Sequence, residues 1–128
     1  MPGMAQTFAD SLQRTEDTRD PEPLVRLFSE DAELHNLAIS HQGLDGARQF
    51  WDTYLQQFKS IRSEFSHLIE SDGQAALVWT SKGTLKDGHP ITYRGVSVIE
   101  FDGDKVHRFE TVYDSAAFLR TEAPTKAS

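Results

Sequence analysis

The residues of this sequence best suited to chemistry are two histidines, His35 and His67, and two tyrosines, Tyr54 and Tyr113. An imidazole titrates near working pH and serves as general acid or base, while a phenol donates a hydrogen bond to a developing oxyanion. Such a set suits a cofactor-independent isomerase, cyclase or dehydratase. Each residue also has a plainer use: His35 tied to a loop carbonyl, His67 as a satisfied core histidine, and the tyrosines as core aromatics with surface hydroxyls. Ser97, Thr80 and Thr111 either orient a ligand carbonyl together or pair across a sheet. Glu100 and Glu110 lie near one another on the two last strands, where salt bridges to Arg94 or Arg108 are favoured over acid/base work. His35 and His41 lack the carboxylate that would complete a coordination sphere, so no metal and no organic cofactor is expected.

These side chains are positioned by elements legible in the pattern. Met4, Phe8 and Leu12 recur every four residues and place one apolar stripe on a first helix, ending near Thr15 to Arg19. Asp20-Pro21 caps a short second helix carrying Leu24, Val25, Leu27 and Phe28, and Asp31 to Asn36 reads as a strand. Leu37 to Gly46 reads as a loop. Ala47, Phe50, Trp51, Tyr54, Leu55 and Phe58 then form the buried face of a third helix. Beyond Ile61, the dipeptides Asp72-Gly73, Asp87-Gly88 and Asp102-Gly103 divide a four-stranded meander over about 61–71, 74–86, 89–101 and 105–113. Asp114 caps a last short helix, Ser115 to Arg120, and Thr121 to Ser128 is expected to fray. The expected order is α-α-β-α-β-β-β-β, an α+β domain spanning 1–120.

A two-residue turn at Asp87-Gly88 sets Val78 opposite Ser97 and Thr80 opposite Gly95; a matching turn at Asp72-Gly73 sets His67 opposite Val78, and a three-residue turn over Gly103, Asp104 and Lys105 sets Ser97 opposite Thr111. One face then carries Phe65, His67, Ile69, Val78, Thr80, Ser97, Ile99, Phe101, Phe109, Thr111 and Tyr113. It is apolar with a few hydroxyls, as a small-molecule pocket under helices requires, and His35, Asn36 and Tyr54 join it from outside the meander. The other face carries Leu68, Leu77, Trp79, Val96, Val98 and Val112 within a charged rim, which points to a homodimer through this outer face.

The bulk composition narrows the partners. The chain has 128 residues, 20 acidic and 13 basic, for a formal charge of -7, which repels phosphate backbones and anionic lipid alike. Nucleic acid and membrane are therefore not expected as partners. With no cysteine there is no thiolate chemistry and no demand for an oxidising compartment, so the cytoplasm is the default location.

Leu27-Phe28-Ser29-Glu30-Asp31-Ala32, then Gly43-Leu44-Asp45-Gly46-Ala47 leading into Phe50-Trp51, and the closing run from Asp104-Lys105-Val106 to Tyr113-Asp114 together resemble the nuclear transport factor 2-like superfamily, and within it the SnoaL-like group of polyketide-cyclase type. The resemblance implies a cone-shaped α+β barrel, commonly dimeric, with a cavity between sheet and helices. It implies little about chemistry, because the fold hosts isomerases, hydrolases, dehydratases, cyclases and silent binding modules. The ketosteroid isomerase positions fall on Leu12, Asn36 and Ser97, which cannot supply the tyrosine and two aspartates. The Asp-Arg-Asp set of limonene epoxide hydrolases falls near Thr80, Thr111 and Val78, and a shift by one does not restore it. Only His35, His67, Tyr54 and Tyr113 imitate the histidines and tyrosines of scytalone dehydratase. The reading is a pocket protein for a small, largely apolar organic ligand, with a His/Tyr enzyme and a silent dimerisation module as alternatives.

Overall fold

The computed structural model describes residues 3–119. Helix α1 (Met4–Thr18) buries Met4, Ala5, Phe8, Ala9 and Leu12, and the same stripe continues into Thr15 and Glu16. At its start the Glu70 carboxylate accepts the Ala5 N–H at 2.8 Å, placing negative charge on the helix N-terminus. At its end Arg19 adopts φ 65°, and its guanidinium donates to the carbonyls of Leu55 (2.8 Å) and Phe58 (3.0 Å). Helix α2 is a single turn, Glu22–Val25, and strand β1 (Phe28–His35) starts earlier than the sequence suggests. Part of the expected loop forms a short strand, β2 (Ser40–Gln42), paired antiparallel with β1. Helix α3 (Gly43–Gln56) buries Ala47, Phe50, Trp51 and Leu55 as its periodicity predicts. Arg48 on α3 grips Glu22 through two hydrogen bonds of 2.6 and 3.1 Å.

The meander follows as β3 (Phe58–Ser71), β4 (Gln74–Leu85), β5 (Pro90–Asp102) and β6 (Lys105–Tyr113), followed by the expected short helix, of 3-10 type over Ser115–Leu119. The tail expected at Thr121 to Ser128 lies outside the described residues. One curved, unclosed sheet has the order β2-β1-β6-β5-β4-β3, in which β1 runs parallel to β6 and all other neighbours are antiparallel. Helices α1 and α3 cover its concave side, where Phe8, Phe28, Phe50, Trp51 and Phe109 form one aromatic cluster with centroid spacings of 5.0 to 6.5 Å. No helix among the described residues is long and apolar enough to cross a membrane.

One register differs from expectation, and it decides which residues face the cavity. Leu85 N–H donates to the His89 carbonyl and Gly88 N–H to the Leu85 carbonyl, so Lys86, Asp87 and Gly88 form a three-residue loop with Gly88 at φ 97°. This is a type I turn followed by a left-handed glycine, one residue longer than the two-residue turn that Asp-Gly suggests. Pairing moves by one, to Leu77↔Ser97, Val78↔Val96, Trp79↔Gly95 and Thr80↔Arg94. Because side chains alternate, the whole of β4 turns over. Leu77 and Trp79, expected on the outer face, are buried inside, whereas Val78 and Thr80, expected in the pocket, point outward. The β3–β4 turn has the expected two residues, Asp72 and Gly73, and keeps His67 opposite Val78, so His67 faces outward with it. A bulge at Ser66 then brings Phe65 opposite Trp79 on the concave side. Ile69 is likewise exposed and Leu68 turned inward, both against expectation. The β5–β6 pairs Ser97↔Thr111 and Ile99↔Phe109 are as expected, but the turn has two residues, Gly103 and Asp104, rather than three, since Lys105 pairs with Asp102 and a bulge at His107 makes up the difference.

Candidate functional site

Between α1, α3 and the concave face of the sheet lies a cavity whose walls are mainly aromatic: Phe50, Trp51, Tyr54, Trp79, Tyr93 and Phe109. It is a slot. The centre of a water-sized sphere is free to move through about 60 Å³, while the empty space between the walls, counting the open mouth, is about 640 Å³. Both tryptophans of the chain line it. Trp79 reaches its place because Gly95, directly across on β5, has no side chain; a Cβ there would lie 2.6 Å from the indole Cη2 and from the Val112 carbonyl oxygen.

Two groups of polar side chains interrupt the aromatic walls. On β4, β5 and β6 the Trp79 indole N–H donates to Ser97 Oγ at 3.0 Å, and Ser97 donates to Thr111 Oγ1 at 3.0 Å. The onward bond from Thr111 to the Val96 carbonyl is 3.5 Å long, so the Thr111 hydroxyl at the end of this polarised chain is weakly held. The indole N–H of Trp51, a lining residue 3 % exposed, is itself buried and has no partner among the described residues.

The other polar group centres on Glu16, which is 3 % exposed. Its Oε1 accepts the Ser63 N–H at 2.8 Å, and its Oε2 accepts the Tyr54 hydroxyl at 2.7 Å and the Ser63 hydroxyl at 2.6 Å. Since Ser63 gives its one hydroxyl proton to Glu16, it accepts from Ser81 at 2.7 Å. Tyr93 completes the group within reach of Tyr54 and Ser81. Tyr54, Ser63, Ser81 and Tyr93 line the cavity, and Glu16 stands behind them. Burial pushes the Glu16 carboxyl above its ordinary value, outweighing the hydrogen bonds from Ser63 and Tyr54 and the charge of Arg62, which act to lower it. The same burial, with the Glu16 charge alongside, raises the Tyr54 phenol well above its usual value.

Of the residues expected in the site, Asn36, Tyr54, Ser97, Phe109, Thr111 and Tyr113 meet at the cavity, although the Asn36 side-chain oxygen is committed to the backbone N–H groups of Ala38 and Ile39. His35 stays outside it, bonded through Nδ1 to Ser40 (2.8 Å) and through Nε2 to Glu33 (3.1 Å), because strand β2 draws its ring to the sheet edge. His67 is exposed beside Ser66, and Val78 and Thr80 lie on the opposite face. The histidine-based acid/base arrangement therefore has no histidine at the cavity. Glu100 and Glu110 both pair with Arg108, at 3.9 and 3.0 Å, as anticipated.

Glu16 is the residue that sequence reasoning missed. The signal was present: continuing the four-residue spacing of Met4, Phe8 and Leu12 lands on position 16, a carboxylate on an otherwise apolar stripe.

A curved sheet closed by helices over a cavity open at one side defines a protein of the nuclear transport factor 2-like fold. Within that fold the chain belongs to the SnoaL-like domain family, whose profile matches residues 7–109. No curated protein sequence matches the chain. Solved structures share the fold at low identity. An NTF2-like protein of unknown function from Burkholderia pseudomallei is 17% identical, with a TM-score of 0.82 over 96% of this chain and 100% of its own. TerC, co-crystallised with polyporic acid, is 18% identical with a TM-score of 0.79 over 93% of this chain and 98% of its own. A Catenulispora acidiphila protein with a ketosteroid isomerase-like fold, in complex with trimethylamine, is 13% identical with a TM-score of 0.81 over 97% and 95%.

Proposed function

We propose that the protein binds a small, flat, largely apolar organic molecule carrying one or two polar groups. The observation that carries this reading is the aromatic slot interrupted by two sets of hydroxyls, since apolar walls supply affinity and a few placed polar groups supply orientation. TerC, of the same fold, was crystallised with polyporic acid, an organic molecule. No histidine reaches the cavity, so the reading does not use His35 or His67. The test uses the two tryptophans as reporters. Titration with naphthalene should quench or shift their emission saturably, and filling the mouth by Thr53→Trp should weaken binding by about tenfold, the loss of one good contact. An unchanged signal across the titration would remove the pocket reading.

The reading includes a homodimer through the outer sheet face and fits a cytoplasmic setting. Val98 (42 % exposed) and Val112 (49 %) lie side by side with Val96 and Val78, inside a rim of Arg94, Glu100, Arg108 and Glu110. Apolar centre and ionic rim on a self-complementary patch suit a twofold contact. With Trp79 and Leu77 inside the fold, the patch is aliphatic only. Sedimentation velocity should give a dimer for the native chain and a monomer for Val98→Asp; a native monomer at micromolar concentration would end this part of the reading.

A further inference from the structure

The Glu16 group gives the cavity a polar end of unusual one-sidedness. Every hydroxyl proton whose direction is fixed there points away from the cavity toward the carboxylate. Tyr54 and Ser63 donate to Glu16, and Ser81 donates to Ser63. The protons of these three hydroxyls are therefore turned from the slot and their oxygens are left as acceptors, while the Tyr93 hydroxyl, within reach of Tyr54 and Ser81, is a fourth group at this end whose proton is free to turn either way. A carboxylate buried behind two neutral hydroxyls makes them stronger acceptors than free hydroxyls, because each donates into a charge.

Resting on the pocket reading above, we infer that the ligand bound at this end is a hydrogen-bond donor, a phenol or enol hydroxyl on a flat ring, received by the Tyr54, Ser63 and Ser81 oxygens with Glu16 as the charge behind them. Elsewhere on the lining, on β6, the weakly held Thr111 hydroxyl is a donor, so the slot offers acceptors on α3, β3 and β4 and a donor on β6. A molecule carrying a ring hydroxyl at one edge and a carbonyl at another satisfies both.

The same geometry gives a reversal. When Glu16 takes up a proton it donates to one of its own hydroxyl partners, and that partner's proton is released toward the slot. The polar end then favours a carbonyl. The groups that set where this happens surround Glu16 from each element packed against it: Asp17 on α1 and Arg19 just after it, Tyr54 on α3, Lys59, Arg62 and Ser63 on β3, Ser81 and Lys82 on β4, and Tyr93 on β5. Burial raises the carboxyl, which brings the reversal to milder acid than for an exposed glutamate.

Three probes of one shape, naphthalene, naphthol and methyl naphthyl ketone, test this by isothermal titration calorimetry. None of them titrates between about pH 4 and pH 8. At the upper end naphthol should bind about tenfold tighter than naphthalene, the value of one good net hydrogen bond, and tighter than the ketone. Acidification should invert the naphthol-to-ketone ratio. Glu16→Gln, whose amide can donate to Tyr54, should prefer the ketone at every pH. Tyr54→Phe, which leaves Glu16 bonded to Ser63, should lose most of the naphthol preference and serves if the glutamine variant does not fold. Naphthalene binding with equal affinity for naphthol and ketone at all pH values would overturn the inference and leave the pocket reading standing. Failure of all three probes to bind would overturn both.

Discussion

Replacing Glu16 with alanine should cost about 3 kcal/mol of stability, because it strands the buried Ser63 backbone N–H and removes the charged acceptor of the Tyr54 and Ser63 hydroxyls. Two effects compete. Removing the carboxylate relieves its own desolvation, but the Ser63 N–H sits within strand β3 and cannot turn elsewhere, so the unsatisfied donors dominate. Urea unfolding should register the loss as a lower midpoint with an unchanged slope. The pH dependence isolates the charge. Glu16 has its carboxyl raised in the fold, so its stabilising contribution is fully present below the unfolded value of 4.5 and is lost as pH rises through the raised folded value. Glu22, Glu33 and Asp87 have carboxyls lowered by Arg48, His35 and His89 respectively, and they act in the opposite sense, losing stability only on acidification below their ordinary values. Stability of the native protein relative to Glu16→Gln should therefore fall as pH rises from about 4.5, while the acid limb stays common to both. A difference independent of pH would mean that Glu16 is not desolvated as described.

The second large effect is expected from one methyl group. Gly95→Ala places a carbon against the Trp79 indole and the Val112 carbonyl, and overpacking of this kind costs about 3 kcal/mol, or about 10 °C in Tm for a domain of this size. The ring is the softer neighbour, so the indole should swing out of its slot and break its hydrogen bond to Ser97. Tryptophan emission and near-ultraviolet circular dichroism should report the displacement, and naphthalene should bind more weakly. Because the clash is shared, Trp79→Leu and Gly95→Ala together should cost less than their sum. Additive costs would place the strain in the backbone at Val112 instead.

How much of this was legible beforehand follows from what each signal depends on. Helix α3 was readable because the five apolar residues Ala47, Phe50, Trp51, Tyr54 and Leu55 at helical spacing have no other use, although Phe58, expected on the same face, opens β3; Phe50, Trp51 and Tyr54 supply aromatic wall to the cavity. The Asp72-Gly73 turn was readable because a two-residue loop fits both its residues at positive φ. Asp87-Gly88 looks the same on paper, yet here only glycine takes the left-handed conformation and Lys86 joins the loop. A single residue of loop length thus decided whether Trp79 or Thr80 faced the ligand, and no property of β4 itself could decide it, since Leu77, Val78, Trp79 and Thr80 are all acceptable on either side of a sheet. The outer face expected to dimerise lost Leu77 and Trp79 for that reason but kept Val96, Val98 and Val112, whose registers depend on β6. Glu16 was hidden differently: a charge on an apolar stripe reads as the end of a helix until Tyr54 and Ser63, far along the chain, supply its partners.

The parallel pairing of β1 with β6 has a consequence for how the chain acquires its shape. Phe28 is matched with Val106, and Leu34 with Phe109, so the N-terminal third has no sheet to join until the last strand has been made. The meander from β3 to β6 closes through short loops and can form by itself in sequence, whereas docking of α1 and β1 must wait for a long-range search. During synthesis Phe8 and Phe28 wait longest, because Phe109 on β6 completes their aromatic cluster. A ligand present at that moment would meet a half-built site, and one that binds only the finished slot would speed no step before the last.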